Sequence, residues 1–207
     1  MDTAQLVDRL LDVIEAELVP LTRTGIAAGN KLFGAAILRR DDLSVAVAAV
    51  NNETENPLWH GEMHAIKRFY DLPAADRPDP RDCLFLATHE PCSLCLSGIT
   101  WSGFDNFYYL FSYEDTRDAF SIPHDIRILR EVFAVPDPDR EVVPADRPLY
   151  NRRNAFFQSH GLMAMVGGLD RGRKEALVAR IDDISATYRE LSASYQAEKG
   201  KSGIPLA

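Results

Sequence analysis

Two short motifs, His60-Gly61-Glu62 and Pro91-Cys92-Ser93-Leu94-Cys95, constrain the fold of this chain more than any other stretch. A Cys-x-x-Cys pair placed at i and i+3 lies on one helix face, so Cys92 and Cys95 can share one metal ion as thiolates. Residues two apart in mid-helix point away from each other. His60 and Glu62 can therefore converge only if His60 opens its helix. Proline at position 91 suits the start of the second helix, whose N-terminus favours a thiolate. Both helix starts must then meet at one end of one sheet. Three protein ligands leave a tetrahedral zinc one open position, and Glu62 is a carboxylate placed to move protons beside it. This is the composition of a hydrolytic site.

The order of elements fits that demand. Residues 3–19 carry Leu6, Leu10, Val13, Ile14 and Leu18 at helical spacing. Apolar runs around 33–38 and 44–50, split by the polar turn 39–42, predict an antiparallel hairpin. A helix is expected over 60–70, a buried strand over 83–87, a helix over 92–101, an aromatic strand over 106–111 and a helix over 122–132. The pattern α-β-β-α-β-α-β-α implies an α/β layer with helices on both faces of one sheet. Two strand-loop-helix units place the helix starts at the sheet's end, where ligand sites of such folds lie.

The texture changes after residue 133. Four prolines and several charges over 134–150 read as a connecting arm. Helices are expected over 153–166 and 171–195, the second amphipathic through Leu177, Ile181, Ile184, Tyr188 and Leu191. The division is thus a core over 1–134 and an extension over 135–207, packed on the core or on a dimer partner. The extension either brings Phe156 or Phe157 to the pocket mouth as a lid, or forms helices on the far side of the sheet.

Three cysteines cannot form a paired disulfide framework, and two of them look like ligands, so a reducing cytoplasmic setting is expected. Neither a membrane span nor a signal peptide is indicated. The formal net charge of −8 and the lack of a Lys/Arg run disfavour nucleic acid as a partner, because phosphate neutralisation supplies most of such affinity. A small molecule fits better.

Each candidate residue also has a plainer reading. Cys92 and Cys95 alone could be core cysteines, His60 a capping residue, and Glu62 a helix-dipole carboxylate; the paired motifs favour the metal site. His64, one turn beyond His60, is a possible fourth ligand that would make the zinc structural. His89 either lines the site mouth or is a loop histidine. Cys83 fills the core.

With Asn51-Asn52, Pro57 to Met63, His89 to Ile99, Trp101-Ser102-Gly103-Phe104 and Phe107-Tyr108-Tyr109, residues 30–115 resemble the cytidine deaminase-like superfamily. The H-x-E and P-C-x-x-C pair is the signature of its zinc-dependent nucleobase deaminases. The chain is most similar to the branch holding guanine deaminases, fungal-type cytosine deaminases and tRNA adenosine deaminases. Gly61 replaces the more familiar alanine of that motif. The resemblance implies a three-layer cytidine deaminase-like α/β fold, a central mixed sheet with helices on both faces, here extended by C-terminal helices. It implies Zn2+ on His60, Cys92 and Cys95, Glu62 as general acid/base, and a substrate base held by Asn51 or Asn52 and by backbone near Gly61 and Cys92. A homodimer is also implied.

The expected function is zinc-dependent hydrolytic deamination of a small nucleobase, nucleoside or related aminated heterocycle, with release of ammonia. Two other readings are a deaminase of tRNA or another polynucleotide, which needs a basic groove, and a non-catalytic binding module with four-ligand structural zinc.

Overall fold

A computed structural model describes residues 2–131, 148, 150–153, 157–199 and 201. The chain opens with a long helical stretch, α1 (Thr3–Val13), a π-helical turn (Ile14–Leu18) and α2 (Val19–Ala27). Asp2 starts α1 with a capping box: its carboxylate accepts the Gln5 N–H at 2.9 Å and the Gln5 side chain accepts the Asp2 N–H at 3.0 Å. Pro20 has no N–H to return to the preceding turn, and the wider π turn sits where that bond is missing.

Strands β1 (Gly34–Arg39) and β2 (Val45–Val50) form the expected antiparallel hairpin. Then come α3 (Gly61–Tyr70), β3 (Cys83–His89), α4 (Ser93–Trp101), β4 (Asn106–Phe111), α5 (Tyr113–Asp118) and α6 (His124–Glu131). The sheet order is β2-β1-β3-β4-β5, where β5 is Gln158–Gly161. β1 pairs antiparallel with β2 and β3, while β3, β4 and β5 run parallel, so the sheet is mixed. β3 is buried along its whole length, as a central strand covered on both faces must be.

Two cores flank the sheet. Ala36, Leu38, Leu84, Leu86 and Leu110 meet the N-terminal helices and α8 (Arg171–Glu198). Ala35, Ile37, Phe85, Phe107 and Tyr109 meet Ala65, Ile66 and Phe69 of α3 and Leu96 and Ile99 of α4. This is the expected three-layer α/β fold with a helical C-terminal segment. Among the described residues no helix is long and apolar enough to cross a membrane.

The C-terminal part departs from expectation. In place of a helix over 153–166 the chain forms β5 and then α7 (Leu162–Gly167). Gln158, Ser159, His160 and Gly161 show no apolar alternation. Their strand exists because the free edge of β4 offers it hydrogen-bonding partners. The short α5, held by a Ser112–Asp115 capping box, was not anticipated either. The arm over 134–150 lies outside the described residues except for Pro148 and Tyr150, as do Val132 and Phe156. Phe157 is buried against Phe107, with ring centroids 5.1 Å apart.

α8 carries the stripe its sequence predicts, extended by Tyr195. It packs beside α1 and α2, on the face opposite α3 and α4. Arg180 anchors it there through Asp8, Asp12 (2.8 Å) and Glu15 (2.8 Å), and Arg173 reaches Asp2 at 2.9 Å. Because this stripe is integral to a core, Ile184→Ala should cost roughly 2–5 kcal/mol of unfolding free energy. The exposed Glu190→Ala on the same helix should stay within about 0.5 kcal/mol of wild type. Denaturant unfolding of both variants checks this; equal effects would place the stripe outside the core.

Candidate metal centre and active site

Both motif helices start where the sequence demands. His60 is the N-cap of α3, with extended backbone angles of φ −60° and ψ 158°. Cys92 is the N-cap of α4, at φ −64° and ψ 172°. The extended conformation at position 60 lets the imidazole and the first-turn Glu62 face the same space. Cys95 sits one turn into α4 and closes the group.

His60 Nδ1 lies 3.4 Å from Cys92 Sγ and 3.7 Å from Cys95 Sγ, and the two sulfurs are 3.5 Å apart. Bonds of about 2.3 Å to sulfur and about 2.0–2.1 Å to nitrogen at tetrahedral angles put ligand atoms roughly 3.5–3.8 Å apart. The three side chains therefore fit zinc. Among the described residues they are the one His/Cys/Asp/Glu group gathered closely enough to hold a metal ion.

The electrostatics of the cluster fit a cation as well. The Cys92 thiol is pulled well below its usual range, chiefly because the Cys95 thiol donates to it and His60 stands beside it. Cys95 is pushed up, by burial first and then by the Cys92 thiolate. At His60 burial opposes protonation, yet contact with Cys92 and the charges of Cys92, Glu62 and Glu53 prevail and raise it to about 9. Glu62 is buried and is raised to about 7, mainly by burial and secondarily by Cys92. Its Oε2 lies 3.3 Å from Cys95 Sγ.

Asn51 ties this arrangement to the sheet. Its Oδ1 accepts the Gly61 N–H at 2.7 Å, and its own N–H donates to the Phe33 carbonyl at 3.0 Å. Its Nδ2 is buried with no hydrogen-bond partner among the described residues. Asn52 instead serves the loop, donating to Glu55 through its side chain and to the Trp59 carbonyl at 2.8 Å through its N–H. Gly61 lets α3 approach β1 closely: a Cβ there would stand 2.7 Å from Gly34 Cα and 2.9 Å from Gly34 N.

Two candidate histidines fall elsewhere. His64 Nδ1 is 2.8 Å from the Val50 carbonyl oxygen and is not one of the clustered ligands. His89 is buried among the rings of Phe33, Phe111, Phe120 and Tyr188, in the core and not at a site mouth. Burial keeps it neutral, well below its usual pKa, and its Nδ1 lies 2.8 Å from Thr88 Oγ1.

The fold adds residues that no motif marks. Asp125, at the start of α6, lies within electrostatic reach of Cys92, His60, Lys31 and Glu53; burial, then Cys92, raises its carboxyl to about 7. Glu90, just before Pro91, is buried and fixes the loop that presents Cys92. It accepts the Tyr150 hydroxyl at 2.6 Å and the Tyr113 N–H at 3.2 Å, while the Tyr113 hydroxyl donates to the Pro91 carbonyl. Sequence spacing carries no signal for these partners, since Tyr150 and Asp125 reach the site only through tertiary packing.

Residues 15–111 match the family model described as the cytidine and deoxycytidylate deaminase zinc-binding region. The guanine deaminase of Bacillus subtilis (strain 168) is 32% identical over 103 residues, covering 49% of this chain and 64% of that protein. The chain thus spans less than two thirds of that relative's length. Among solved structures, an X-ray structure of guanine deaminase from Bacillus subtilis is 25% identical with a TM-score of 0.48, covering 62% of this chain and 81% of that one. A guanine deaminase from Nitrosomonas europaea is 17% identical with a TM-score of 0.48, covering 84% of each chain. Residues 15–111, which carry both motifs and the His60, Cys92 and Cys95 cluster, are thus similar to the zinc-binding region of cytidine and deoxycytidylate deaminases.

Proposed function

We propose that this protein is a zinc-dependent hydrolytic deaminase that acts on the exocyclic amine of a small nucleobase, nucleoside or related aminated heterocycle. The observation that carries the reading is the buried Glu62 carboxylate beside a three-ligand cluster, 3.3 Å from one of its sulfurs. Three ligands leave a tetrahedral ion one position for chemistry, and His64 is not a fourth.

His60, Cys92 and Cys95 would hold a zinc ion, which would supply the Lewis acidity that makes water a nucleophile near neutral pH. The water oxygen bonds to the amine-bearing ring carbon, the C–N bond breaks, and ammonia leaves as the carbonyl forms. Glu62 takes protons from the water and returns them to the ring nitrogen and the departing nitrogen. Burial raises its carboxyl above the usual carboxylate range, toward a group that can both accept and donate. The unpartnered Asn51 Nδ2 is a donor suited to a ring nitrogen or carbonyl oxygen.

The named activity of the Bacillus subtilis relative makes guanine the first substrate to test. The net charge of −8 speaks against a polynucleotide. An ammonia-release screen over guanine, cytosine, adenine and their nucleosides tests the class directly; no release from any aminated heterocycle would refute it.

Two outcomes check the site. Metal analysis of the purified protein should find one zinc per chain, largely lost in a Cys92→Ala/Cys95→Ala variant; undiminished zinc in that variant would show that the ligands lie elsewhere. Glu62→Gln should retain zinc and fold while turnover falls roughly 100- to 10,000-fold. Turnover close to wild type on a confirmed substrate would remove Glu62 from the mechanism.

A further inference from the structure

Behind His60 stands a second charged pair. Lys31 and Glu53 are both buried, with side chains 8% and 3% exposed, a degree of burial at which an ion pair stabilises a fold poorly. Neither lies in the H-x-E or P-C-x-x-C motif. Both Glu53 oxygens are held by one residue: Oε1 accepts from Lys31 Nζ at 2.9 Å and Oε2 from the Lys31 backbone N–H at 3.1 Å. Oε1 also stands 4.0 Å from His60 Nε2. The imidazole thus lies between two demands, its Nδ1 facing the sulfurs and its Nε2 facing a carboxylate.

We propose that Glu53, clamped by Lys31, is a positioning residue for the metal ligand His60. A carboxylate on the Nε2 side keeps the ring proton there and leaves the Nδ1 lone pair for the metal. At 4.0 Å it acts through its charge, which makes the ligating nitrogen more basic. Lys31 has a distinct task. With both carboxylate oxygens engaged by Lys31, Glu53 is held beside the imidazole. The loop between β2 and α3 therefore contributes to the site from both sides of the histidine, through Asn51 on the helix start and Glu53 on the ring.

This inference rests on the metal reading above, and its test separates the two. Zinc affinity of the full-length protein is measured by competition with a chromophoric chelator, and the visible spectrum is recorded after cobalt(II) substitution, for wild type, Glu53→Gln and Glu53→Ala. Both variants should bind zinc roughly 10- to 100-fold more weakly than wild type and show shifted cobalt bands. Where a single variant fails to fold, Lys31→Met/Glu53→Gln, which leaves no buried charge unpaired, carries the same measurement. Wild-type affinity and an unaltered cobalt spectrum, even with a lowered Tm, would mark the pair as purely structural and overturn the proposal. A wild-type protein that takes up neither zinc nor cobalt would overturn the metal reading itself, and this proposal with it.

Discussion

The structure turns on the close contact of the start of α3 with the start of β1. Gly61 stands against Gly34, and Asn51 takes the Gly61 N–H. Gly34 is itself fixed from the other side, its N–H donating to Thr88 Oγ1 at 2.9 Å and its carbonyl accepting from the same hydroxyl at 3.2 Å. Thr88 lies near the end of β3, four residues before Cys92. One side chain on the central strand therefore holds the backbone against which the His60 helix rests, and the same strand leads into the cysteine loop. These contacts bring together ligands 32 residues apart in sequence, with His60 Nδ1 3.4 Å from Cys92 Sγ.

That scaffold explains why the site is polar where a core would be apolar. Glu62, Asn51, Glu53, Lys31 and Glu90 are all buried, and most have a partner that offsets the loss of water. The exceptions are informative. Asn51 Nδ2 lacks a partner, and in the ligand cluster the Cys92 thiol is pulled down while the His60 imidazole beside it is raised.

Much of this was legible in the sequence, for identifiable reasons. That His60 must open its helix follows from the two-residue spacing to Glu62, and the α8 stripe follows from helical periodicity; both are present as read. β5 was not legible, because a short polar edge strand takes its order from β4 and not from its own side chains. His89 sits beside the cysteine motif in sequence, yet the packing of β3 and β4 encloses it in aromatic rings. Which of Asn51 and Asn52 faces Gly61 is set by tertiary structure, as are the places of Glu53 beside His60 and Tyr150 beside Glu90.

The Arg180 clamp has a consequence for how the molecule is made. It links α8 to acidic residues of α1 and of the π-helical turn after it, lying 165 to 172 positions earlier in the chain. On the ribosome, α1 and α2 emerge well before α8, and their apolar side has no α8 to cover it until that helix has been synthesised. At a translation rate of roughly 5–20 residues per second, that interval is on the order of ten seconds or more. The side of the sheet opposite the metal ligands is therefore the last to be sealed, and the nascent protein is most exposed to misassociation there.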